Sequence, residues 1–241
     1  MGKTILLLII TAAVVGCQFD SPPQLPTQTL TVDDEVRRFQ LRVPLDTSRG
    51  LPLVIAWHGI GDSADSFMQY SQWDRLAVKE GFVLAVPDSG GKMWQIPATD
   101  DDAEATSRDI KFFDHLVNDV ARKVPVDRDR IYVMGMSQGA IFVYALAKQR
   151  PDEIAAAVVH SASVPRGMKL DATMPPLFMI AGTEDLVCEA MREDAESLAA
   201  SGVHCQMTEV PGIGHQWSTQ HNDAMWTYLK SFKRTVPAEQ E

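Results

Sequence analysis

The stretch Gly135-Met136-Ser137-Gln138-Gly139 places a serine between two glycines, each two residues away. The pentapeptide alone is a weak signal, because short glycine–serine patterns recur by chance. Its setting says more: "RIYVMG" before it reads as a strand and residues 138–149 after it read as a helix. A serine at so tight a corner stands above the strand ends, and the flanking glycines let backbone pass close to backbone. The competing reading is a turn that happens to contain serine. A lone hydroxyl is a poor nucleophile and needs a base within hydrogen-bond reach, itself oriented by an acid. His215 suits the base, since it lies on the glycine-rich loop "VPGIGHQW" directly after a strand. Asp185 suits the acid, on a short polar loop after the apolar strand "PLFMIAG", with neighbouring Glu184 as its competitor. His58 and His160 also end strands and compete as base. His115, His204 and His221 fall on the long helix, at the wrong end of a strand and on the closing helix.

Attack on an acyl carbonyl builds negative charge on its oxygen, and backbone N–H groups can hold that charge without side-chain chemistry. The Gln138 N–H opens the helix beside Ser137. A second donor is expected from the loop "HGIGDS", and Ile60 is the choice, with Gly59 and Gly61 letting the backbone turn inward. Trp94, Met136 and Trp217 are candidates to line an apolar pocket, or else to pack in the core. The histidines lack H-E-x-x-H or H-x-x-E-H spacing, so no metal is expected, and the chemistry requires no cofactor.

These residues need a frame that brings strand ends to one edge. Residues 36–44 alternate and suit an edge strand; 51–59 and 82–88 are continuously apolar, as strands buried on both faces are. Further strands are expected at 154–162, 176–182 and 203–210. Helices are expected to end at Gly81 and to span 104–123, 138–149, 189–200 and 219–233. In the 104–123 helix, Ile110, Phe113, Leu116, Val117 and Val120 form the apolar stripe, with Asp109, Lys111 and Asp119 mostly off it. Residues 89–103 are irregular and placed for a loop. Buried strands alternating with helices predict an α/β fold with a mostly parallel central sheet and helices on both faces. The order Ser137, Asp185, His215 matches that architecture and neither of the other two recurrent triad orders.

Composition sets outer bounds. The 241 residues are 45% hydrophobic and 22% charged, enough for one sizeable core. A net charge of −10 without a basic cluster disfavours nucleic acid as a partner. The opening "MGKTILLLIITAAVVGC" carries one lysine and an apolar run too short for a bilayer span, which needs about 20 residues. It fits an export signal over residues 1–16. The Val-Val-Gly-Cys ending resembles a bacterial lipobox, which implies lipid on Cys17 and attachment to the membrane. Gln18, where some sorting patterns have aspartate, points to the outer membrane of a bacterial cell envelope. Residues 17–28 are proline-rich and polar, a tether, and the catalytic domain is expected over 29–241. Cys188 should open a helix at the top of the sheet and Cys205 should enter a strand lower down, which argues against a disulfide.

Taken together, the chain resembles the α/β-hydrolase superfamily, and within it the secreted polyhydroxybutyrate-depolymerase and feruloyl-esterase-like group, the LpqC-type esterases. The likeness runs over about 36–233. It is carried by "PLVIAWHGIGDSADSF", Trp94, "RDIKFFDHL", "VDRDRIYVMGMSQGA", "PPLFMIAGTEDLV" and "GIGHQW". It implies Ser137 as nucleophile, Asp185 as acid and His215 as base, with Trp217 supporting the histidine loop or pocket. The elbow reads Met-Ser-Gln-Gly where that group often has Ser-Asn-Gly-Gly, a departure shared with carboxylesterase and dienelactone-hydrolase-like sets. The expected activity is hydrolysis of small or soluble esters: short-chain, acetyl, feruloyl-type or hydroxyalkanoate oligomers. A serine peptidase of the same fold and a non-catalytic envelope lipoprotein are the alternatives.

Overall fold

The computed structural model describes residues 26–96 and 107–234. The export signal, Cys17 and most of the tether therefore lie outside the described residues. Eight strands form one sheet: β1 (Gln28–Val32), β2 (Glu35–Arg42), β3 (Leu51–Trp57), β4 (Val83–Pro87), β5 (Val126–Met136), β6 (Ala156–His160), β7 (Leu177–Gly182) and β8 (Cys205–Val210). Their order is β1-β2-β4-β3-β5-β6-β7-β8. The pairs β1–β2 and β2–β4 are antiparallel, and all others are parallel.

Every residue of β3 is buried, and its side chains divide by the two-residue period of a strand. Leu53, Ile55 and Trp57 enter the core shared with α3 (Arg108–Lys123), α4 (Gln138–Gln149) and α5 (Cys188–Ala200). Val54 and Ala56 enter the other, shared with α1 (Ala64–Ser71), α2 (Trp73–Glu80) and α6 (Asn222–Lys230). Among the described residues, three helices thus cover each face, as the continuous apolar runs require. Among the described residues, no helix is long and apolar enough to cross a membrane.

Five expectations change in detail. Residues 36–44 do not form the sheet edge, because β1 pairs outside them. The two strands form a hairpin turning on Asp33 and Asp34, both at positive φ, as a two-residue turn matched to strand twist demands. β1 also takes in Gln28, the last residue assigned to the tether. The helix expected from 104 starts at Arg108, where the Ser107 hydroxyl caps it by accepting the Ile110 N–H. Asp109, placed off the apolar stripe by spacing, is fully buried and bonded to Arg37 at 2.7 Å. The closing helix divides into a 3-10 turn at Thr219–His221 and α6, ending at Lys230.

Parallel β3, β5, β6, β7 and β8 all deliver their C-terminal ends to one edge. In an open α/β sheet that edge is where ligands bind.

Candidate active site

Ser137 sits between β5 and α4 with φ 55° and ψ −122°, a conformation non-glycine residues rarely adopt. The glycines around it are required by packing. A Cβ on Gly135 would overlap the backbone of Gly139, and one on Gly139 would overlap the Trp57 carbonyl at the end of β3. Strand and helix meet too closely there for any side chain. The Ser137 N–H donates to the His160 carbonyl at 2.9 Å, which ties the corner to the end of β6.

The structure brings Ser137, His215 and Asp185 together. His215 Nδ1 lies 2.9 Å from Asp185 Oδ2, and its Nε2 lies 2.9 Å from Ser137 Oγ. A carboxylate at Nδ1 places the ring proton there and leaves Nε2 to accept the serine proton. The Asp185 side chain is 2% exposed and the His215 side chain 48%, so the anion is dry while the imidazole meets solvent. Asp185 Oδ1 accepts the Val187 N–H. Glu184 is exposed, but its N–H donates to the Ile213 carbonyl, lacing the acid loop to the base loop. The Gly182 backbone lies so close to Ile213 that a Cβ would overlap it.

A cleft of about 630 Å³ opens at Ser137 and His215, lined by Ile60, Asp62, Tyr70, Met136 and Trp217 among others. Met136 and Trp217 border it and also pack in the core beneath. Trp94 does not border it: it is buried, edge-on to Trp57 and stacked with Phe142. Its backbone is gripped by the Gln138 side chain, which pulls the loop down into the core instead of leaving it over the cleft. Burial and the Asp62 carboxylate beside it push the Tyr70 phenol well above its ordinary range, so it stays a donor. Ile60 sits at the mouth and Gln138 at the helix start, each with a backbone N–H near the serine corner.

His160 is brought to the same edge but not to the serine hydroxyl. It is fully buried and stacks on Trp217. Its Nε2 accepts the Ser218 N–H, and its Nδ1 meets Ser161 Oγ. Burial depresses its pKa to about 3, against the opposing pull of Asp185. Asn222 adds a support that no spacing announces: its Oδ1 accepts both the Trp73 and Trp217 indole N–H groups. Cys188 and Cys205 are free thiols.

Strand order, the glycine-flanked corner and the relay define an α/β-hydrolase. The chain belongs to the phospholipase/carboxylesterase family, whose profile matches residues 42–233. It is similar to the bifunctional acetylxylan esterase/xylanase of Neocallimastix patriciarum, 26% identical over 151 residues, 62% of this chain and 21% of that protein. It is also similar to feruloyl esterase D of Neurospora crassa, 24% identical over 148 residues, 56% of this chain and 48% of that one. The chain thus spans less than half the length of either relative. In three dimensions it resembles the fluorophosphonate-binding serine hydrolase F of Staphylococcus aureus, with a TM-score of 0.69 at 16% identity, covering 86% of this chain and 96% of that one.

Proposed function

We propose that this chain is a serine carboxylic ester hydrolase that works through an acyl-enzyme on small or soluble esters. The observation carrying the reading is the unbroken relay from Ser137 through His215 to Asp185, with both bonds at 2.9 Å, opening on a cleft at the strand ends. In the first half-reaction His215 Nε2 takes the Ser137 proton as Oγ attacks the ester carbonyl. The N–H groups of Gln138 and Ile60 hold the oxyanion, and the imidazolium gives its proton to the departing alcohol. Water then attacks the acyl-serine with the same imidazole as base, releasing the acid and restoring Ser137. Buried Asp185 keeps the imidazole in the productive tautomer and stabilises its charge.

Family membership supports ester hydrolysis, and the names of the relatives favour acetyl and feruloyl-type acyl groups, with short-chain and hydroxyalkanoate esters in the same class. The lipobox-like ending at Cys17 supports attachment of the catalytic body to a bacterial envelope membrane. Ser137→Ala tests the chemistry: hydrolysis of p-nitrophenyl acetate should fall by about 10⁴-fold or more, with the circular dichroism spectrum unchanged. Wild-type turnover in that variant overturns the reading.

A further inference from the structure

Among the described residues, neither proposed oxyanion donor has a hydrogen-bond acceptor. The Gln138 N–H lies in the first turn of α4, where N–H groups have no intrahelical partner, and the Ile60 N–H lies in the loop after β3. Two N–H groups from separate segments can share one oxygen only if their spacing is held. Local backbone bonds orient each peptide unit separately, the Asp62 N–H donating to the Gly59 carbonyl at 3.3 Å and the Ile141 N–H to the Ser137 carbonyl at 3.0 Å, but neither bond runs between the two segments.

Buried side chains provide the link. The Gln138 carboxamide pairs with the Trp94 main chain as a neighbouring strand would: Oε1 accepts the Trp94 N–H at 3.1 Å, and Nε2 donates to the Trp94 carbonyl at 2.8 Å. The Trp94 indole N–H then donates to the His58 carbonyl at 2.8 Å. His58 Nε2 accepts the Ser89 N–H at 3.2 Å, which leaves Nδ1 to donate to the Gly59 carbonyl at 2.8 Å. That carbonyl shares one trans peptide unit with the Ile60 N–H, so fixing one end of the plane orients the other. His58, Trp94 and Gln138 are 1%, 2% and 5% exposed. The loop is held from its far side too, since the Gln95 N–H donates to Asp109, the carboxylate paired with Arg37.

We infer that the Gln138 carboxamide and the Trp94 indole are positioning residues for the oxyanion hole, setting the spacing of the Gln138 and Ile60 N–H groups. This rests on the ester-hydrolase reading and adds a device to it. Both side chains act through backbone and touch no reacting atom. In a dry network each bond reinforces the next, so loss of one link loosens the whole.

Gln138→Met keeps length and removes both carboxamide bonds. Trp94→Phe keeps an aromatic ring against Trp57 and Phe142 and removes only the indole donor. With p-nitrophenyl acetate, kcat should fall by about 10- to 100-fold in Gln138→Met and about tenfold in Trp94→Phe, with KM within about twofold. Active-site titration with a fluorophosphonate normalises kcat to folded enzyme. The Ki of an alkyl trifluoromethyl ketone, which captures the serine as a hemiketal oxyanion, should rise by the same factor as kcat falls. A merely structural role would lower the active fraction and leave Ki and normalised kcat at wild-type values. The double variant should be no worse than Gln138→Met alone, because both changes cut one chain. If Gln138→Met does not fold, Trp94→Phe decides. Normalised kcat and Ki near wild type in the folded variants, with Ser137→Ala inactive, overturn the inference. Turnover surviving in Ser137→Ala instead overturns the ester-hydrolase reading beneath it.

Discussion

On one side of the serine corner, Ser137, His215 and Asp185 meet through loops, and the imidazole joining them stands half in solvent. On the other side, His58, Trp94 and Gln138 meet through bonds sealed from water, backed by the buried Arg37–Asp109 pair. The difference follows from what each half is asked to do. A proton relay has to exchange with water and product, and it recovers whenever the ring swings back. Holding charge on an oxyanion depends on dipoles already aimed before the charge arrives, which a dry and fixed setting favours. Damage to the open half should therefore appear as lost turnover in a stable protein, and damage to the sealed half's support as lost stability.

Asp185→Asn gives the largest test of the open half. It should lower kcat by about 10³- to 10⁴-fold through loss of tautomer control, with the unfolding midpoint close to wild type. Comparable losses of stability and turnover would erase the contrast. In the sealed half, Arg37→Ala takes the buried guanidinium from Asp109 and leaves the carboxylate only the partly exposed Arg108 as cation, at 3.5 Å. Breaking such a buried pair costs about 3–5 kcal/mol, read by urea unfolding.

His160 tests whether the floor beneath the open half shares the dry character of the other. Its pKa is about 3 folded, against about 6.5 unfolded, so the unfolded chain binds the extra proton between those values. Stability should therefore fall as pH drops from about 6.5 toward about 3. His160→Gln keeps an acceptor for the Ser218 N–H and removes that titration. Between pH 7 and 4.5, wild type should lose about 2–3 kcal/mol more than the variant by chemical denaturation. Asp185, His215 and His221, the charged groups that act on the ring, are present in both proteins, so the difference isolates His160. Parallel stability–pH curves would place its ring in contact with water. The smallest effect is expected at Asp62, a carboxylate lining the cleft. Asp62→Asn should raise kcat/KM for mono-p-nitrophenyl succinate about threefold relative to p-nitrophenyl acetate, and salt should shrink the gap.

The open half was legible in the sequence and the sealed half was not. Ser137 and Asp185 each follow a strand whose end is buried and apolar, and His215 follows the half-buried edge strand β8; parallel strands carry such residues to one edge, so order along the chain translates into proximity. No comparable rule covers Gln138 and Trp94, whose bonds run from side chain to backbone across 44 residues. Residue type alone leaves Trp94 open between pocket lining and core packing, and it is the buried acceptor of its indole, the His58 carbonyl, that decides for the core. Asp109 misled for a related reason: helical spacing marks the apolar face, and the partner that permits a carboxylate there sits 72 residues away in β2. β1 left a fainter trace, in the alternation of Leu30 and Val32 before the Asp33-Asp34 turn, hidden by the polar residues around them.

The contact between Gly139 and the Trp57 carbonyl bears on how this protein could be re-engineered. Because no residue bearing a Cβ fits there, saturation libraries that include this position would spend their diversity on chains that cannot close the corner. Ile60 and Leu186, exposed at 62% and 100%, sit on the loops that follow the same strand ends and meet no such barrier. New substrate preferences are therefore best sought by varying that periphery while the corner stays fixed.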